Sequence, residues 1–204
     1  MDSKKSILEL LVIGLLFSSL YSCSPLLSFV FGIKKPRIEN HNEQINFLRK
    51  NNLDTNYVFD INKLYSDSIA GNYYDLDTFD EKSFSPIQYR VYDNYGRFVG
   101  GWEICFGSKK KLGIFDTIPP VVKGKRFSLN PNLSFEHDIK IINHYNKIPI
   151  IKNFDYVIIV FWAQSLGILS KDLLMDLEHY IKKHPDKRFL LLKVNISKIL
   201  IDEK

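Results

Sequence analysis

The chain has 204 residues, of which 45% are hydrophobic and 14% aromatic. That is enough apolar mass for one folded domain with a leading segment, and too little chain for several large domains. The net charge of +5 comes from 28 basic and 23 acidic residues spread along the chain, without the basic blocks that mark a nucleic-acid partner.

The first residues are a basic start, Lys4 and Lys5, followed by an apolar run over 7–20 that is broken by Glu9, Gly14, Ser18 and Ser19. This is the layout of a secretory signal. The run closes on Leu20-Tyr21-Ser22-Cys23. These four residues resemble a bacterial lipobox, although Tyr21 stands where a smaller residue is usual. The resemblance implies a signal peptide over 1–22 that is removed before Cys23. Cys23 then carries the lipid, and residues 23–40 hold it to a domain over 41–204. The implied location is the bacterial cell envelope, the outer membrane ahead of the inner, with contact to the membrane through the lipid. A second reading stays open. Leu26, Leu27, Phe29, Val30, Phe31 and Ile33 prolong the apolar stretch, and about 20 apolar residues suffice to cross a bilayer. An uncut signal anchor would then replace the lipid.

The two cysteines are Cys23 and Cys105. A lipidated Cys23 leaves no pair for an internal disulfide, although an exported domain normally meets an oxidising compartment. Cys105 lies in the apolar segment Gly-Trp-Glu-Ile-Cys-Phe-Gly and reads as a small buried hydrophobe. The competing reading, a lone reactive thiol, requires an accessible electropositive setting.

In the middle of the chain, residues 36–46 are polar and lead into a short helix over 43–50, and residues 57–61 suit a strand. Residues 66–85 are a loop whose acidic side chains lack the spacing of a calcium loop. Residues 87–92 and 97–106, joined by Asp93-Asn94-Tyr95-Gly96, predict a β-hairpin. Residues 109–131 form a basic connector with Pro119-Pro120 and the cluster Lys123, Lys125 and Arg126. Glu136, His137, Asp138 and His144 invite a metal reading, but their spacing matches no common zinc motif, and a surface element is the expectation. No cofactor is implied.

The most regular stretch comes last. Residues 157–161 are a continuous apolar run that suits a strand buried on both faces. Leu169, Leu173, Leu177, Tyr180 and Ile181 recur at helical spacing, with Ser165 or Ser170 as the candidate cap. His184-Pro185 ends that helix. Residues 189–194 form the second strand, so residues 154–195 make a βαβ unit with parallel strands.

Here the sequence resembles the thioredoxin family. The Val-Ile-Ile-Val-Phe-Trp-Ala run is similar to the family's aromatic-Trp-Ala strand, which leads after two residues into Cys-x-x-Cys at a helix N-terminus. The matching positions are Leu166, Gly167, Ile168 and Leu169. The hairpin adds to the likeness: Pro86, Asp93, Gly96 and Val99 fall where the family has its cis-proline and the following hairpin. The resemblance implies an α/β, thioredoxin-like three-layer sandwich with a central mixed sheet. Its order is permuted or incomplete, because the hairpin precedes the βαβ unit and the chain runs only to Lys204. The family's chemistry needs a thiolate activated at the helix N-terminus and a second thiol to resolve the mixed disulfide. Leucine supplies neither. The expectation is a redox-inactive domain that binds or scaffolds another envelope protein. The alternatives are a thiol oxidoreductase using Cys105 and an unrelated α/β binding module.

Overall fold

The computed structural model describes residues 31–61, 87–103, 117–120, 134–142, 144–198 and 200. Its elements, in chain order, are α1 (His41–Lys50), β1 (Val58–Asp60), β2 (Gln88–Asp93), β3 (Phe98–Glu103), α2 (Phe135–Lys140), β4 (Tyr156–Trp162), α3 (Ile168–Lys183) and β5 (Phe189–Asn195). The fold is mixed α/β. The five strands found among the described residues form one sheet in the order β1-β5-β4-β2-β3.

β4 and β5 pair in parallel from Tyr156 opposite Phe189 to Trp162 opposite Asn195, as expected of the βαβ unit. β1 adds to the far side of β5, also in parallel. The hairpin joins the other side. β2 runs antiparallel to β4, with Gln88 opposite Phe161 and Asp93 opposite Tyr156, and β3 forms the edge beyond it. β4 is therefore the middle strand. Val157, Ile158, Ile159 and Val160 are fully buried, which matches the unbroken apolar run.

Pairing registers divide the strand side chains between two faces. Arg90 and Tyr92 share one face with Ile159 and Val157, and α2 covers it through Asp138. Tyr156, Val160 and Trp162 lie on the other face with Phe189 and Lys193. There α3 packs, Tyr180 meeting the Phe189 ring edge-on and Glu178 pairing with Lys193 at 3.4 Å, and α1 stacks Phe47 on Trp162. Leu173, Leu174 and Leu177 of α3 are fully buried, each contributing about 1.5–3 kcal/mol.

Three expectations need correction. The segment 135–145 is not a plain surface element, because Asp138 has no exposed surface. Its carboxylate accepts from both Arg90 Nη1, at 2.7 and 2.8 Å, and the Tyr92 hydroxyl. Residues 31–40, the described part of the expected tether, pack against the domain, with Phe31 and Glu39 buried. α1 starts two residues earlier than the apolar pattern suggests, because Asn40 and Glu43 form a reciprocal capping box.

Candidate functional site at the mouth of α3

The chain leaves β4 at Trp162, makes a short 3-10 turn over Gln164–Leu166, and enters α3 through Gly167. Gly167 has φ +60°, a conformation that disfavours any side chain. Space demands glycine as well, since a Cβ here would lie 2.3 Å from the Phe31 carbonyl oxygen and 2.4 Å from that of Gly32. The segment ahead of α1 thus crosses directly over the start of α3. Lys34 N–H fixes it by donating to Ser165 O at 2.7 Å.

The four positions that match the redox motif lie here together. Leu166 and Leu169 are buried, with 6% and 4% of their surface exposed, and Ile168 is 39% exposed. Neither serine caps α3. Its N-cap is Gly167, with no side-chain hydrogen bond. Ser170 lies inside the first turn, where its hydroxyl accepts from Ala163 N–H at 3.2 Å and ties the helix to the end of β4. The cap expectation failed because the 3-10 turn takes up the residues that an extended Ser165 would have needed.

Beneath this crossing lies a buried polar cluster at the carboxyl ends of the parallel strands. Glu39, 1% exposed, is its centre. One carboxylate oxygen accepts from Ser165 N–H at 3.2 Å and the other from Asn195 Nδ2 at 2.8 Å. Its own N–H donates to the Ser197 hydroxyl, and its carbonyl accepts from Gln44 Nε2. Gln44 Nε2 also donates to Asp60 at 2.6 Å. Burial pushes the Glu39 carboxyl above its ordinary range; the bonds from Asn195, Gln164 and Ser165 and the charge of Arg37 oppose that rise without cancelling it. Among the described residues, three buried side-chain atoms of this region have no hydrogen-bond partner: Ser165 Oγ, Gln44 Oε1 and Trp162 Nε1.

An open pocket of about 400 Å³ adjoins the cluster, lined by Lys34, Lys35, Arg37, Glu39, Gln164 and Ser165. The carboxyl end of the strands is where open α/β sheets place their ligands. The sequence pointed to this end through residues 166–169. It did not point to Glu39, which sits 126 positions before its partner Ser165, or to the basic residues of the same segment. Buried Glu39 sits in a polar run that reads as solvated, and no local pattern marks it.

Other expected residues lie elsewhere. Cys23, Cys105 and Pro86 are outside the described residues, and the cis X-Pro bond among the described residues is Ile118-Pro119. Asp138 is taken by Arg90 and Tyr92, and among the described residues no group of three or more His, Cys, Asp or Glu could hold a metal ion. No described helix is long and apolar enough to cross a membrane. Comparison with family models, with curated proteins and with solved structures finds no match, so the reading of this site rests on its own geometry.

Proposed function

We propose that this chain is an envelope lipoprotein, anchored through Cys23, whose thioredoxin-like domain binds or scaffolds another envelope protein and exchanges no disulfides. The observation that carries this reading is the state of the α3 mouth. Leu166 and Leu169, the positions where the resemblance expects cysteines, follow the middle strand and are buried, and residues 31–34 cross at Gly167 and Ser165 beside them. A disulfide-exchange site needs an accessible thiolate at that point. The pairing of the hairpin with β4 supports the likeness, since both parts of the resemblance share one sheet. The hairpin comes before the βαβ unit, so on this reading the order is permuted or incomplete relative to the family.

Insulin reduction in the presence of dithiothreitol tests the redox half of this reading. The full chain is expected to give no turnover above the dithiothreitol background. Turnover would overturn it, and its loss in Cys105→Ser would move the activity to that thiol. Mass spectrometry of the mature N-terminus tests the anchor. A diacylated Cys23 is expected, and an uncut Met1 would overturn it.

A further inference from the structure

The pocket at the α3 mouth has an unbalanced set of charges. Lys34, Lys35 and Arg37 line it with a single carboxylate, Glu39. Both oxygens of that carboxylate are engaged inside the protein, by Ser165 N–H and Asn195 Nδ2. Arg37 pairs with Glu43 at 2.9 Å. Lys34 and Lys35 have no ion-pair partner among the described residues, whereas Ser165, on the pocket wall, has a buried hydroxyl with no hydrogen-bond partner. A buried hydroxyl left unpaired costs roughly 1–3 kcal/mol, so such a group is normally satisfied.

We propose that this pocket binds a phosphate-bearing anion. Lys34 and Lys35 supply the charge, Arg37 is a further donor, and neutral hydrogen bonds come from the Ser165 hydroxyl and the second Nε2 hydrogen of Gln164, whose Nε2 also donates to the Glu43 carbonyl at 3.0 Å. Lysine meets phosphate as a compact point charge and arginine as a planar fork, which suits a tetrahedral anion with several acceptor oxygens. The volume matches a small ligand. The phosphate has two sources, a lipid headgroup or free phosphate. The first source rests on the anchoring reading above. Lys34 stands 11 residues after Cys23, a reach of roughly 40 Å at full stretch, so a lipidated chain holds the pocket near headgroups.

Isothermal titration of the full chain in non-ionic detergent tests this with two probes, inorganic phosphate and glycerophosphoglycerol, the acyl-free headgroup of an anionic lipid. Saturable binding of at least one is expected, weakened tenfold or more (about 1.4 kcal/mol) in Lys34→Ala/Lys35→Ala. Those lysines are exposed, so the variant keeps its fold. Ser165→Ala is expected to weaken the same probe with unfolding stability little changed or slightly raised. Preference for the diester assigns the lipid source, and preference for inorganic phosphate assigns the free ion. No saturable binding, or equal binding in the lysine variant, overturns the proposal. Neither result depends on insulin turnover or on the mass of the N-terminus, so the pocket and the anchored, redox-inactive reading fail separately.

Discussion

Two buried polar clusters sit on this sheet, and they are finished differently. On the α2 face, Arg90, Tyr92 and Asp138 are at most 1% exposed. Both Asp138 oxygens are bonded, and the guanidinium also lies 5.3 Å from the centre of the Phe161 ring. At the carboxyl ends of β4 and β5, the Glu39 cluster is as deeply buried, but Ser165 Oγ, Gln44 Oε1 and Trp162 Nε1 are left without partners. A closed cluster holds elements together. One with spare donors and acceptors beside a pocket has capacity to give to a ligand, at some cost in stability.

The first consequence concerns the closed cluster. Asp138→Ala removes the buried carboxylate that accepts from the Arg90 guanidinium and the Tyr92 hydroxyl, and the expected loss is about 3–5 kcal/mol in urea unfolding. Replacing both partners together with apolar residues is expected to cost far less. A loss below about 1 kcal/mol in the single variant would mean that this cluster holds nothing together.

Gly167→Ala tests the crossing at the α3 mouth. Its positive φ alone makes alanine cost about 1–3 kcal/mol, and the methyl group must also displace the carbonyls of Phe31 and Gly32. The expected result is lower stability together with new protease cleavage within residues 31–39. Lower stability without new cleavage would detach the glycine from the crossing.

A third, smaller effect is a pH dependence centred on Glu39. Its folded pKa is raised above the ordinary 4.5, chiefly by burial. The folded state therefore holds the proton more tightly than the unfolded chain. The resulting stability is complete below 4.5 and is lost as pH rises through the folded value. Relative to Glu39→Gln, the native chain is expected to lose stability across that window and then level off. A difference that does not change with pH would contradict it.

The smallest effect belongs to the open cluster itself. Ser165→Ala removes a hydroxyl that has no partner, so it is expected to change stability by less than about 1 kcal/mol or to raise it slightly. A loss of 2 kcal/mol or more would reveal a structural bond and erase the contrast between the two clusters.

How far the sequence carried the fold varies by region. The βαβ unit was legible because its strands are buried on both faces and its helix has a clean stripe at Leu169, Leu173 and Leu177. The hairpin was legible because Asp93 and Gly96 close a tight turn, with Gly96 N–H donating to Asp93 O at 3.0 Å. The parts that were missed are buried charges. In β2, the alternation of Gln88 and Arg90 with Tyr89 and Val91 reads as one wet face, yet α2 covers it with Asp138, 48 positions away from Arg90. Lys193 interrupts an apolar strand and is buried against Glu178 of α3 and Asp54. Charges normally signal solvent, and a partner distant in sequence leaves no local trace. Glu39 was missed for the same reason, and Lys34, an exposed lysine, is tied to Ser165 through its backbone N–H, which leaves no mark in side-chain patterning.

That covering segment is the part of the account most exposed to a single measurement, amide hydrogen exchange at Lys34 and Ser165. Lys34 N–H donates to Ser165 O and Ser165 N–H to Glu39. Both amides are predicted to exchange far more slowly than an unstructured chain, and slower than the amides of the exposed residues Lys35, Arg37 and Ile38. Exchange of Lys34 at the unstructured rate would mean that the α3 mouth is uncovered, and the crossing of residues 31–34 over it would be contradicted.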